Sequence, residues 1–209
     1  DGNAESNVGV FTFSESVFSR TRDRDVPFAL NDVVVLQEEE IKEVLLIAYD
    51  EQAFGGSAPT LNITIQPGMG TLGTPIEYNL ENVKLAAWSL DYSPELDYNG
   101  TDEMKFTVTS DDGTSNEARI SFIINPVNDA PELSSVDDLS FDEGDDTSVS
   151  VTLSATDVDV GDELTYTVYG GSEITVTQDS DTTFTFSTED EDWYGSEIFT
   201  ATVMDDALE

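Results

Sequence analysis

The chain has 209 residues, of which 7 are Lys or Arg and 45 are Asp or Glu, so its formal net charge at pH 7 is −38. A charge of this sign repels nucleic acid and anionic membrane surfaces, and it makes cations the natural partners. The chain has no Cys and no His, which excludes disulfide bonds, imidazole-based catalysis and ordinary zinc sites. Acidity alone does not separate a cation-binding protein from a secreted or salt-adapted protein with a solubilising surface.

The apolar residues form only short runs. The longest lies near residues 44–49 and is far below the roughly 20 residues of a membrane-spanning helix, so we expect no membrane insertion. No signal peptide is visible, and the chain begins with Asp1-Gly2 rather than Met. We therefore expect a piece of a longer protein that is secreted or displayed on the cell surface.

Alternation of apolar and polar residues predicts β-strands along most of the chain. The segment Lys42–Tyr49 could be read as a helix, but it is short and ends in an apolar, β-branched run, so we predict a strand there. Alternation is also clear in seven later segments, which are residues 61–65, 104–108, 120–124, 149–153, 164–168, 184–186 and 199–203. Turns rich in Gly, Asp, Asn and Pro separate them, which favours an all-β fold of antiparallel sandwiches.

One pattern of residues occurs twice. It consists of an acidic residue after a strand, an Asp-aromatic-x-Gly corner and an Asp-Asp pair, found at Asp50, 97–100 and 111–112 and again at Asp157, 192–195 and 205–206. Each copy is close to the length of an immunoglobulin-like sandwich, about 100 residues. We predict one domain over residues 26–126 and a second over residues 127–209.

The repeat also predicts where the ends of the chain fall. Residues 1–25 resemble the final strand of a preceding repeat followed by a linker, whereas the second copy stops just after Asp206, before its own final strand. One hypothesis is that the open edge beside Phe199–Asp205 recruits residues 5–18 of a neighbouring molecule, so that self-association by strand donation builds a filament. The alternative is that the ends reflect cloning, proteolysis or disorder.

Oxygen-bearing side chains collect at the boundary between the two copies. The linker 126–131 places Asn128 and Asp129 between two prolines, and the acidic segment 157–162 follows about one strand later. Asp157 and Asp159 point the same way because strand side chains alternate with period two, and Gly161 permits the turn that brings in Asp162. Calcium prefers six to eight such oxygen ligands. The pattern therefore predicts a rigid, calcium-binding joint between repeated domains.

These segments resemble bacterial cadherin-like and Ig-like repeats, which occur in tandem in large surface and secreted adhesins. The resemblance covers about residues 27–209 and rests on the linker PVNDAP and on the segments ATDVDVGDELTYTV, DYNGTDEMKFTVTSDDG and DWYGSEIFTATVMDD. It implies tandem seven-stranded Greek-key sandwiches in an extended array, Ca²⁺ at domain junctions, and a role as a stalk or adhesive module. The first copy departs from the pattern, with Asp50-Glu51-Gln52 where the second has Asp157-x-Asp159.

Cadherin-like packing would bring the acidic groups of the two copies and their linker together at one junction. The candidate calcium ligands are Glu40, Asp111, Asp112, Asn128, Asp129, Glu143, Asp157, Asp159 and Asp162. The competing interpretation is that the acidic segment is a solvated turn, the linker an ordinary rigid one and residues 111–113 a simple hairpin turn. We favour calcium because a convergent acidic cluster without a cation repels itself.

Other functions have less support in the sequence. Paired carboxylates could serve glycoside hydrolysis, but a repeated sandwich array suggests no substrate cleft, so we expect no enzyme. A carbohydrate-binding module would need exposed, coplanar aromatic residues, and the corners at 97–100 and 192–195 more often pack an aromatic ring under the turn. The expected partners are neighbouring repeats of the same protein, a second copy of the chain, and a glycan or other cell-surface ligand.

Overall fold

A computed structural model describes residues 26–50, 58–78, 84–144 and 147–206. All regular structure within these ranges is β-strand, which confirms the predicted all-β fold class. No helix in the described ranges is long and apolar enough to cross a membrane. The chain divides into two units between Asn125 and Pro126, and each is described by itself. The strand predicted within residues 1–25 lies outside the described ranges.

The first unit is a sandwich of two five-stranded sheets. One sheet contains β1 (Phe28–Ala29), β3 (Lys42–Tyr49), β5 (Gly70–Leu72), β6 (Ile76–Tyr78) and β7 (Leu85–Pro94). The other contains β2 (Asp32–Gln37), β4 (Thr60–Ile65), β8 (Gly100–Ser110), β9 (Gly113–Thr114) and β10 (Ala118–Asn125). In the second sheet, β10 lies between β8, its antiparallel neighbour, and β2, with which it runs parallel.

Strict alternation along the strands builds the core of the first unit. In β10 the side chains of Ala118, Ile120, Phe122 and Ile124 are buried, while the residues between them face outward. The ring of Phe122 stacks on that of Tyr92 from the opposite sheet, with 3.8 Å between ring centroids. Each fully buried aromatic side chain of this kind stabilises the fold by roughly 1.5–3 kcal/mol, so this stack is central to the unit.

The segment Lys42–Tyr49 is strand β3, as predicted. It pairs with β7 over all eight residues. Val44, Leu46 and Ala48 are buried at every second position, which is the period of a strand and not of a helix. Trp88 on β7 lies opposite Leu46 and is buried.

The second unit contains seven strands in three small sheets. These are β11 (Glu132–Leu133) with β13 (Ala155–Thr156), β12 (Ser148–Thr152) with β16 (Thr183–Thr188) and β15 (Ile174–Gln178), and β14 (Thr165–Gly170) with β17 (Phe199–Met204). Its core contains four buried apolar residues, Leu153, Tyr166, Phe184 and Phe186, with twelve partly buried ones packed against them. The core of this unit is therefore less completely covered than that of the first unit, which contains sixteen buried apolar residues.

Candidate metal centre

Strand β13 leads directly into an acidic loop. The backbone N–H of Asp159 donates to Oδ1 of Asp157 over 3.0 Å, which fixes the first turn of this loop. Val158 and Val160 point outward, so the two carboxylates lie on the other side of the chain, as period-two alternation predicts. Gly161 follows with a φ of +114°, a backbone conformation that residues with a side chain rarely adopt, and Asp162 comes next.

The loop brings three carboxylates to one point. One oxygen each from Asp157, Asp159 and Asp162 lies within 4.8 Å of the other two. Two oxygens bound to the same Ca²⁺ at 2.3–2.6 Å can be up to about 5 Å apart, so one ion can reach all three. The residues present therefore fit calcium.

The linker is tied to this cluster. The backbone N–H of Asp129 donates to Oδ2 of Asp159 over 2.7 Å. The side-chain amide of Asn128 donates to Oδ2 of Asp205 over 3.2 Å. Both predicted linker residues thus lie beside the acidic loop of the second unit.

Two further carboxylates at the end of β17 border the cluster, and the sequence prediction missed them. Asp206 accepts a hydrogen bond from the backbone N–H of Glu163 over 2.9 Å, and Asp205 holds Asn128. The signal for them was present, because they occupy the same place in the second copy that Asp111 and Asp112 occupy in the first. The Asp-Asp pair that lies beside the acidic loop is therefore that of the second copy.

The electrostatics of the cluster are those of an uncompensated negative site. Burial raises the pKa of Asp162, and the charges of Asp159, Asp157, Asp206 and Asp205 raise it further. Oδ2 of Asp157 is buried, and no residue in the described ranges donates a hydrogen bond to it. Residues 127–209 include 23 acidic residues and no Lys or Arg that could neutralise them. A bound cation would satisfy the buried oxygen and remove the repulsion.

The structure corrects the placement of Asp111 and Asp112. They form the two-residue turn between β8 and β9, at the end where Ser110 pairs with Gly113. The opposite end of β8, at Gly100, lies beside Ile124. Since strand residues rise by roughly 3.3 Å each, the ends of β8 are about 33 Å apart. Asp111 and Asp112 therefore lie at the end of the first unit opposite to Asn125, and their place in a cation site stays a prediction.

Glu143 is also misplaced in the prediction. It is exposed and precedes Gly144, whose carbonyl accepts a hydrogen bond from Thr147 just before β12 begins. From Ser148 the chain runs extended through β12 and β13 to Asp157, with Val149, Val151, Leu153 and Ala155 facing inward. Residues 148–156 span about 26 Å, so Glu143 lies at the opposite end of the unit from the acidic loop.

Glu40 has partners within its own turn. Its carboxylate accepts the backbone N–H of Gln37 over 3.0 Å and pairs with the ammonium of Lys42 over 2.7 Å. The hydrogen bond from Lys42 is the main cause of a lowered pKa of Glu40. The carboxylate therefore stabilises the turn between β2 and β3, and its place in a cation site stays a prediction.

The repeated corners hold their aromatic residues differently. Tyr98 packs against the core of the first unit and its hydroxyl donates to the carbonyl of Thr101 over 3.0 Å. In the second corner Trp193 is partly buried and lies against Gly195, while Tyr194 is exposed. The first corner fits the predicted structural role, and one exposed ring in the second does not make a coplanar sugar platform.

A family model now decides what class of protein this is. The model described as a bacterial Ig domain matches residues 24–123 and again residues 128–208. The chain belongs to the bacterial Ig domain family. The two bacterial Ig domains are consecutive in the sequence, which confirms the predicted tandem repeat. Among curated proteins, no match is found.

Solved structures resemble this pair of bacterial Ig domains at low identity. Protocadherin gamma B2 extracellular cadherin domains 1–5 are 14% identical, with a TM-score of 0.44, and the match covers 88% of this chain and 38% of that one. InvD of Yersinia pseudotuberculosis is 14% identical, with a TM-score of 0.34 and coverage of 87% of this chain and 54% of that one. An endo-fucoidan hydrolase of glycoside hydrolase family 107 is 19% identical, with a TM-score of 0.40 and coverage of 89% and 29%. The chain thus spans about half or less of each of these proteins.

Proposed function

We propose that this tandem pair of bacterial Ig domains is a calcium-stiffened, non-catalytic stalk or adhesion module of a large extracellular repeat protein. The observation that carries the proposal is the convergence of Asp157, Asp159 and Asp162 within 4.8 Å, together with the buried Oδ2 of Asp157 that no described residue hydrogen-bonds. Three carboxylates this close together repel one another, and a bound cation would offset that repulsion.

The donor set favours calcium over other metals. Zinc sites in proteins are built largely from His and Cys, and the chain has neither. Magnesium demands near-octahedral geometry at 2.0–2.1 Å and usually keeps several waters, whereas calcium accepts irregular sets of carboxylate and amide oxygens. The carboxylates of the acidic loop, with Asn128 and Asp205 alongside, match the description of a calcium site.

The stiffening would act on the linker. Asp129 is held by the same carboxylate, Asp159, that belongs to the metal cluster. A bound ion would order the loop, and the ordered loop would fix the chain four residues after the end of β10. Loss of the ion would leave Asp157, Asp159 and Asp162 repelling one another and would free the linker.

The extracellular and non-catalytic parts of the proposal rest on the family and on the charge. Extracellular calcium modules work with dissociation constants of about 10⁻⁴–10⁻³ M, which cytosolic calcium levels would not fill. The net charge of −38 also suits an environment rich in divalent cations. In this proposal the carboxylates of the cluster bind the cation, so none of them is assigned a catalytic role.

The test is thermal melting of the full chain in calcium and in a chelator. A ligand that binds only the folded state at a hundredfold excess over its Kd stabilises by about 2.7 kcal/mol, which raises the melting temperature of a small domain by roughly 10–20 °C. The double variant Asp157→Asn with Asp159→Asn should lose most of this shift. The matched control, Glu143→Gln, removes a charge at the opposite end of the same unit and should keep it. Equal melting in calcium and chelator would exclude the proposal.

A further inference from the structure

Strand β2 forms a regular and uncharged edge of the first unit. On one side it pairs with β10 over six consecutive residues without a register shift. Within the described ranges, no strand pairs with its other side. Residues 33–37 contain no charged residue and no proline. The backbone donors and acceptors along such an edge form a template for a further strand.

The other described edges of this unit carry features that oppose such pairing. β1 has two residues, and β5 and β6 have three residues each. β4 lies at the opposite end of the sheet that contains β2, and its register shifts between Ile63 and Ile65. Short edges and bulges are devices by which proteins avoid edge-to-edge association. β2 has neither device, which distinguishes it from the rest.

Exposed apolar side chains lie along the same edge. Val33 and Val35 point away from the core and are 56% and 52% exposed. Ile123, which lies opposite Val35 on β10, is 41% exposed. These three side chains form a strip on the outer face of the sheet. A second strip of the same kind placed beside it would remove apolar surface of both from water, which is favourable.

The charges around this edge favour one orientation of a partner strand. At the start of β2 the exposed Arg119 is hydrogen-bonded to Asn31, and Lys105 lies directly opposite Arg119 on β8. Glu103 and Glu117 pair with these two basic residues, so this end of the edge carries both signs.

The other end of the edge is acidic, because residues 38–40, which follow β2, are all Glu. Two copies in parallel orientation would place these acidic ends side by side. In antiparallel orientation each acidic end instead meets the end that holds Arg119, and the acidic ends stay apart.

We propose that β2 pairs antiparallel with β2 of a second copy of this chain. Residues opposite each other in an antiparallel pair point to the same face. Val33 of one copy then lies opposite Val35 of the other, and the two Val34 residues meet on the two-fold axis. A shift in one direction would set Asp32 opposite Glu38 of the other copy and bring like charges together, and a shift in the other direction would shorten the pairing.

This contact uses the same surface of both copies, so the assembly closes at a dimer. The sheet that contains β2 continues from one copy into the other, and the two apolar strips lie side by side on its outer face. The paired strands run in opposite directions. The contact involves the first unit alone and does not depend on the cation site of the second, so either proposal can fail without the other.

Light scattering of the full chain over a wide range of concentration tests the proposal. At about 0.15 M salt, where the Debye length is about 8 Å and repulsion between the acidic chains is screened, the mass should rise from that of one chain to that of two and stop there. Val35→Lys should keep the chain monomeric, because lysine on an edge opposes strand pairing. The matched control is Ile76→Lys, on the short edge strand β6 at a side chain that is 66% exposed, and it should still dimerise.

Both variants lower the net negative charge equally, so added repulsion between chains cannot account for a difference between them. A chain that is monomeric at every concentration would overturn the proposal. A dimer that Val35→Lys leaves intact, or that both variants abolish equally, would overturn it as well.

The charge argument has its own pair of variants. Arg119→Glu should weaken the dimer severalfold, because it brings a further negative charge to the acidic end of the second copy. Lys84→Glu makes the same change at an exposed residue just before β7 in the other sheet and should have little effect. Equal weakening by both variants would contradict the antiparallel orientation.

Introduced thiols report the register directly, since the chain has no Cys. A mixture of the Val33→Cys and Val35→Cys chains should crosslink under mild oxidation, because the two thiols lie opposite each other. Either variant alone should crosslink less, because its own thiols are then diagonal neighbours with Cα atoms roughly 7–8 Å apart, beyond the reach of an unstrained disulfide. Equal crosslinking in all three samples would overturn the proposed register.

Discussion

The backbone N–H of Asp129 lies 2.7 Å from Oδ2 of Asp159, and this hydrogen bond joins the linker to the acidic loop of the second unit. Asp159 thus has two structural roles. It accepts the hydrogen bond from the linker, and one of its oxygens lies within 4.8 Å of oxygens of Asp157 and Asp162. A change in the charge of the cluster would therefore reach the linker through the side chain of Asp159.

The first prediction concerns Asp205 and Asp206, which border the three carboxylates of the acidic loop. Replacing Asp205 and Asp206 together by Asn should weaken calcium binding on the order of tenfold, because two negative charges beside a divalent ion are removed. Isothermal titration of calcium measures this. The matched control is Asp111→Asn with Asp112→Asn, the same pair in the first copy, which should leave the affinity unchanged. The opposite ranking of the two double variants would contradict the placement of the site.

A second prediction concerns pH in the absence of calcium. Burial and four neighbouring carboxylates raise the pKa of Asp162 in the folded state, so the folded chain binds this proton more tightly than the unfolded chain does. The free energy of unfolding should therefore rise as the pH falls towards this raised pKa, and calcium affinity should fall over the same range because protons compete. Chemical denaturation in a chelator at several pH values measures the first effect.

The variant Asp162→Asn should flatten that pH dependence. It removes the titrating group and some of the repulsion, so the calcium-free variant should be more stable than the parent at neutral pH. Asp181→Asn, an exposed turn residue on the same unit, serves as the control and should keep the slope of the parent. An unchanged slope in Asp162→Asn would assign the effect to another group.

A third prediction follows from the carboxylate of Glu197. It accepts backbone hydrogen bonds from Ile174, Ser172 and Glu173 and one from the Ser172 hydroxyl. The bond from Ile174 is the main cause of a pKa of about 2. Because this pKa is lowered, the stabilisation is present above the ordinary carboxyl pKa of about 4.3 and is lost as pH falls through about 2.

Glu197→Gln should accordingly lower the melting temperature at neutral pH and reduce the acid sensitivity of the second unit. The adjacent acidic residue on the same turn, Glu173, contributes only its backbone N–H, so Glu173→Gln should have little effect. Melting curves at neutral and acid pH compare the two variants. Similar losses in both would point to a general charge effect and not to the hydrogen bonds.

A fourth prediction concerns the core of the first unit. Phe122→Ala should cost about 3–5 kcal/mol, because it removes a fully buried ring stacked on Tyr92 and leaves a cavity. Ile123→Ala, the next residue on the same strand, changes a side chain that is 41% exposed and should cost less than about 1 kcal/mol. Urea denaturation of the two variants measures the difference, and comparable losses would contradict the inward orientation of Phe122.

The fold class and the local geometry of the site could be predicted because both depend on short-range patterns. Alternation identified Lys42–Tyr49 as a strand, and it placed Asp157 and Asp159 on the same side of the chain. The positions of the other acidic residues depend on strand length and direction. The turn at Asp111 lies a full strand length away from Asn125 because β8 has eleven residues, and a repeated motif does not reveal at which end of its domain it lies.

Position along an extended segment also explains the error at Glu143. In the sequence it precedes Asp157 by fourteen residues, and it begins the same domain, so proximity was a reasonable expectation. Residues 148–156 run extended through β12 and β13, which separates the two groups instead of bringing them together. The alternation from Val149 to Ala155 carries that information, because each extended residue adds roughly 3.3 Å to the separation.

The parallel pairing of β2 with β10 has a mechanical consequence. One strand lies near the start of the first unit and the other at its end, and they are joined along six residues. Tension applied to the two ends of the unit pulls these strands past each other in the plane of the sheet, so the hydrogen bonds between them are loaded together and must break together. In the second unit, residues 134–141 form no such pair among the described residues, so this consequence concerns the first unit alone.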